Sequence, residues 1–156
     1  MKLKIPRPPP APLVPAASSA AMADTASLSV TANLAPACKI TSIPAMVFNI
    51  DPNNATGATA TSAVQYKCTS GTSGGTFRVG VQTNGTTGHA GTLNRSGGGS
   101  MNYTITWPAV AAFTGSGFGA GSDHNQVTLT GAIAANQYQN AVPGAYIGSV
   151  TVEIAP

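Results

Sequence analysis

Cysteine, histidine and carboxylate side chains carry much of protein chemistry, and this chain is poor in all three: two Cys, two His and four acidic residues. Cys38 and Cys68 with His89 and His124 resemble a zinc set by residue type, but their neighbours lack zinc-ligand spacing. No Cys-x-x-Cys occurs, which argues against thiol redox catalysis. Asp123 and His124 are adjacent, and adjacent residues of an extended chain point to opposite faces. No serine sits in a Gly-x-Ser-x-Gly elbow leading to a helix. Gly71-Thr72-Ser73-Gly74-Gly75 and Gly97-Gly98-Gly99 lack the lysine and the helix that phosphate loops need. The acids are unpaired, unlike the two carboxylates of a glycosidase. Asp51-Pro52-Asn53-Asn54 offers oxygen ligands but too little charge for a good calcium loop. No catalytic residue, metal or cofactor is expected, and the chain is read as a non-enzyme.

The two cysteines then stand for structure. Export to an oxidising compartment would join Cys38 to Cys68; two buried free thiols are the alternative. A closed loop of about thirty residues would restrict the unfolded chain by about 3.6 kcal/mol in the loop-entropy account. The formal charge of +3 is uneven. Lys2, Lys4 and Arg7 lie at the start, and without them Lys39, Lys67, Arg78 and Arg95 balance Asp24, Asp51, Asp123 and Glu153. A neutral body without a basic cluster does not fit nucleic-acid binding. Charged residues are only 7% of the chain, so solubility rests on Thr, Ser, Asn, Gln and Gly, which suits a secreted or packed protein.

Residues 1–23 read as a leader: a basic start, then small residues before Asp24. Its prolines make it an atypical signal, and a retained Pro/Ala tether is the alternative. No run of about eighteen apolar residues occurs, so no direct membrane insertion is expected. From there the pattern is that of strands. Leu28, Val30, Ala32 and Leu34 alternate with polar residues upstream of Cys38, so an extended 24–37 would carry its apolar side chains on one face. A turn is expected after Cys38, and a short strand over 45–50. In 61–69, Val64, Tyr66 and Cys68 are placed inward; in 76–84, Phe77, Val79 and Val81. Residues 85–99 read as a polar loop. Met101, Tyr103, Ile105 and Trp107 share a face, as do Val127, Leu129, Gly131 and Ile133. The last strand, 145–154, places Tyr146, Gly148, Val150, Val152 and Ile154 together. About seven short strands with turn signals between them, and no amphipathic helix, predict an all-β antiparallel sandwich.

Several stretches carry a family resemblance over about 27–154. They are the Val-x-Ala-x-Leu strand into Cys38, Phe48, the Ala63-Val64 to Cys68 strand, Arg95 with its glycines, and Met101-Asn102-Tyr103-Thr104-Ile105. The most specific run is Leu129-Thr130-Gly131-Ala132-Ile133, Gln137, Gly144-Ala145-Tyr146 and Val150-Thr151-Val152. Together they resemble the spore coat protein U domain family, which includes major pilins of archaic chaperone–usher pili. Asn49 stands where that family usually has Gly, and Ile147-Gly148 where a residue and Asp are usual.

The resemblance implies an incomplete immunoglobulin-like antiparallel β-sandwich, residues 38–156, completed by a donor strand from a neighbouring subunit. The body would end at Pro156 without a further strand. Segment 24–37 would be the donor strand and linker, with Leu28, Val30, Ala32 and Leu34 making the contacts. The implied partners are identical subunits in a helical or linear homopolymer, a periplasmic chaperone, an outer-membrane usher and a tip adhesin. The implied place is the cell surface, reached through the periplasm, where a shaft subunit supports attachment or biofilm formation. A non-polymerising coat-type structural protein and a carbohydrate-binding adhesive module are the alternatives.

Overall fold

The computed structural model describes residues 22–156 apart from Gly74, Asn84, Ala111, Ala112 and Asp123. Most of the expected leader lies outside the described residues. Contacts divide the chain into a unit ending at Asn33 and a body from Leu34 to Pro156. Residues 22–33 carry no regular secondary structure and are exposed throughout.

The body is built where apolar and polar residues alternate. Val64, Tyr66 and Cys68, at most 1% exposed, anchor strand β2 (Ala58–Cys68). Val127, Leu129 and Ile133 do the same for β6 (Asn125–Ile133), and Met101, Tyr103 and Ile105 for β5 (Ser100–Thr106). With β1 (Cys38–Ser42), β4 (His89–Arg95) and β7 (Tyr146–Ile147), they form one antiparallel sheet in the order β1-β2-β6-β5-β4-β7. The longest register joins β2 to β6, from Ala58 opposite Ile133 to Tyr66 opposite Asn125. A second, two-stranded sheet pairs β3 (Thr76–Val79) with β8 (Val152–Ala155). Among the described residues the only helical piece is a 3-10 turn at Ala135–Gln137. Core aromatics lie between the layers: Tyr66 meets Phe113 edge-on with ring centroids 5.2 Å apart, and Phe77 meets Trp107 at 6.2 Å. The molecule is all-β, a curled antiparallel arrangement consistent with an incomplete immunoglobulin-like sandwich.

Five expectations need correction. The single strand expected over 145–154 is two, β7 and β8, in different sheets. The residues after Cys38 form β1, not a turn. Residues 45–50 are extended without being paired as a strand. Val81 is 85% exposed rather than inward, because the chain turns at Gly80, whose φ of +60° suits glycine, and Val79 bridges Gln82. Residues 85–99 contain β4, which pairs along its length with β5.

The strands define two poles. At one, the disulfide pole, β1 begins beside the end of β2; the Gly117 amide donates to the Cys68 carbonyl and the Gly71 amide to that of Gly115. At the other, the distal pole, lie the β4–β5 turn, the loop before Gly57 and the 3-10 turn. There the Tyr138 hydroxyl donates to the Asn54 carbonyl at 3.0 Å, and the Asn102 amide donates to Gln137 Oε1 at 3.0 Å.

Candidate functional site: a groove between residues 43–50 and 146–155

After β1 the chain leaves the large sheet. Pro44, which has no amide hydrogen to give to a ladder, follows Ile43, and the Ser62 hydroxyl donates to its carbonyl at 2.6 Å. From there residues 43–50 run toward the distal pole with Met46, Phe48 and Ile50 half-buried against the core. Gly131 of β6 makes room for them: a Cβ there would collide with Met46 Sδ and lie 2.6 Å from Phe48 Cζ. Among the described residues, no backbone-to-backbone hydrogen bond involves 43–50.

The returning segment lies across from it. Residues 146–155 begin in the large sheet, where Tyr146 opposes Arg95, and end in the small one, where Ala155 opposes Thr76. Between β7 and β8, residues 148–151 change sheets without strand pairing. Gly148 permits the crossing, since a Cβ there would lie 2.9 Å from Leu93 Cδ2.

Between the two segments is a groove with two cavities. One, about 310 Å³, is floored by Ser62, Tyr103, Ile105 and Leu129 and walled by Met46 and Val150. The other, about 510 Å³, continues toward the distal pole past Phe48, Ile50, Leu93 and Tyr146. No charged residue lines either cavity. Burial raises the Tyr103 phenol pKa, as it does that of Tyr66. An apolar, uncharged slot between 43–50, which lacks backbone partners, and a returning segment whose strands pair on one side only has the chemistry to take an extended, uncharged peptide by strand addition.

Cys38 and Cys68, direct cross-strand partners, are joined in a disulfide. Leu28, Val30 and Leu34 are 87%, 83% and 85% exposed, and Ala32 is exposed too. The residue pattern placed Met46 and Phe48 in a short strand and Val150 in the last strand; a groove was implied only by the family resemblance, without its lining residues. Pro44 and Gly148, each breaking an alternating run, were the signals available. The residues with catalytic side chains serve local structure. Asp51 accepts from the Asn53 amide at 2.9 Å, closing its turn. His124 Nδ1 lies 2.8 Å from Thr41 Oγ1, and His89 packs on Tyr103 with ring centroids 6.4 Å apart. Among the described residues, no three His, Cys, Asp or Glu gather as metal ligands, and no helix is long and apolar enough to cross a membrane.

No curated protein and no solved structure gives a significant match to the chain. A family model for the Spore Coat Protein U domain matches residues 24–153. The chain therefore belongs to the spore coat protein U domain family, a family of pilus-type and coat-type structural proteins rather than of enzymes.

Proposed function

We propose that the protein is a structural shaft subunit of an extracellular chaperone–usher pilus that polymerises by donor-strand exchange. Segment 24–37 of one copy supplies the strand, the body 38–156 of the next receives it, and residues 1–23 act as the export leader. A periplasmic chaperone holds the groove before assembly, an outer-membrane usher guides the exchange, and the finished filament supports attachment or biofilm formation. The observation that carries this reading is the groove itself, apolar and uncharged, between 43–50, whose backbone has no strand partner, and 146–155, whose two strands each pair on one side only. The exposed run Leu28, Val30, Ala32 and Leu34 alternates with polar residues and, like the groove, carries no charge. Each large side chain of that run, once buried, contributes roughly 1.5–3 kcal/mol.

Val30→Asp tests the proposal in cells that also carry the chaperone and usher. An unpaired carboxylate in an apolar slot costs far more than a lost methyl. Surface filaments should disappear while chaperone-bound monomer persists, whereas Ser29→Asp, on the opposite face of the strand, should be much milder. Normal Val30→Asp filaments under the electron microscope would refute insertion in this register.

A further inference from the structure

Resting on the donor-strand reading, we infer that assembled copies also touch body to body: the disulfide pole of the incoming copy, at Phe118, abuts the distal pole of the receiving copy, at Val142. The spacer forces the proximity. Only Ala35, Pro36 and Ala37 separate the last donor residue, Leu34, from Cys38, and four residue steps span at most about 14 Å. Ala37 is fixed at the disulfide pole, where its carbonyl accepts from the Thr69 amide at 2.9 Å and its amide donates to Thr69 Oγ1 at 3.0 Å. A copy whose strand fills a neighbour's groove must therefore press its own disulfide pole against one end of that neighbour.

Which end follows from crowding. The groove runs from pole to pole, because 43–50 leaves β1 and reaches the Asp51 turn while 146–155 returns from Arg95 to Thr76. The receiving copy's own donor segment departs at its disulfide pole. If the incoming strand also left the groove there, the tight spacers would bring three bodies to one pole. Leaving at the distal pole keeps arrival and departure at opposite ends. The incoming strand then runs antiparallel to 146–155, and contacts repeat head to tail without closing.

Both surfaces carry an exposed apolar side chain that its own body leaves uncovered. Phe118, 49% exposed, stands on the glycine-rich loop whose Gly117 amide is held by the Cys68 carbonyl. Val142, 56% exposed, stands on the loop held at the distal pole by the Tyr146 hydroxyl, which donates to the Val142 carbonyl at 2.9 Å. Neither lines the groove cavities, so strand insertion alone leaves both in water.

A benzophenone amino acid in place of Phe118, in the full chain assembled with its chaperone and usher, reads the contact directly. Ultraviolet light should give a ladder of covalent oligomers that survives heating in SDS, with the linked peptide within 138–147 of the neighbour. Val142→Asp should reduce the ladder several-fold while filaments still form. Linkage to 114–122 of the neighbour, or filaments that yield monomer only, would overturn the inference. If the substituted chain does not assemble, the same label at exposed Ser70, on the same pole, carries the test with the same outcomes. Filaments that require Val30 but link elsewhere reject the pole contact alone; filaments indifferent to Val30→Asp reject the donor reading beneath it.

Discussion

Leu129 and Val150 occupy alternating runs of much the same composition, one in each layer. Leu129 is 3% exposed in the middle of β6, with β2 and β5 on either side. Val150 is only half-buried, on a segment with an empty cavity beside it. The central strands of the large sheet pair on both sides within the body, while in the second layer apolar cavities separate 43–50 from 146–155. Alternation thus reports that a segment is extended and has an apolar side; it does not report whether the neighbouring strand belongs to the same molecule. The difference between the layers is the physical content of the assembly proposal, and it can be pressed experimentally.

The strongest test fills the gap. A copy of 24–35 fused behind Pro156 through a short flexible linker, with the native segment removed, should give a soluble monomer. The three large apolar residues together contribute roughly 4.5–9 kcal/mol, so it should melt about 15–30 °C above the unfilled body. Equal melting temperatures, with both forms soluble and monomeric, would mean that the layer is already complete and would favour the coat-type reading.

A smaller effect should follow from the junction between the layers. Gly131→Ala places a methyl into Met46 and Phe48, and overpacking of this kind costs about 1–3 kcal/mol. Faster amide exchange should be confined to β6 around Gly131 and its partners in β2 and β5. Gly119→Ala, which meets nothing within 4 Å, should stay within about 0.5 kcal/mol of the parent. Indistinguishable variants would deny that Gly131 seats the rim.

The smallest expected effect is on alkaline stability. Burial raises the folded pKa of Tyr66 and of Tyr103 above the ordinary value of 10.0. The folded state then holds these protons more tightly than the unfolded chain. The contribution to stability is full below about pH 10 and is lost as the pH rises through the raised folded values. Thermal melts should therefore fall progressively above pH 10, and Tyr66→Phe with Tyr103→Phe should flatten that decline. A decline unchanged in the double variant would assign it to other groups.

The inner face of the large sheet was legible in the sequence because β2, β5 and β6 each alternate several large apolar residues with polar ones. Strand β4 escaped for a reason its partner supplies. The alternate positions through Leu93 are His89, Gly91 and Leu93, and a Cβ on Gly91 would run into the Tyr103 ring. The aromatic of β5 fills the volume that β4 omits, so β4 reads as loop when scanned alone. Val81 was misread the other way: it continues the alternation of Phe77 and Val79 past a turn that only the backbone at Gly80 reveals. The disulfide was expected from the number of cysteines and their surroundings, and the register of β1 against β2 supplies the geometry. The groove was implied by the family resemblance alone, since it depends on which strand is missing between two others, and periodicity carries no such information.

The disulfide has a mechanical consequence. β1 is a five-residue strand at the edge of its sheet, held to β2 by a few hydrogen bonds. The cystine sits at its first residue, between two points 30 residues apart along the chain. Tension drawn through Ala37 therefore divides at Cys38, and part of it passes through the sulfur bridge into β2, whose register with β6 is the longest in the molecule. Reduction would leave the same load on the hydrogen bonds of β1 and on the chain leading into 43–50, so the rim of the groove would be strained each time the segment upstream was pulled.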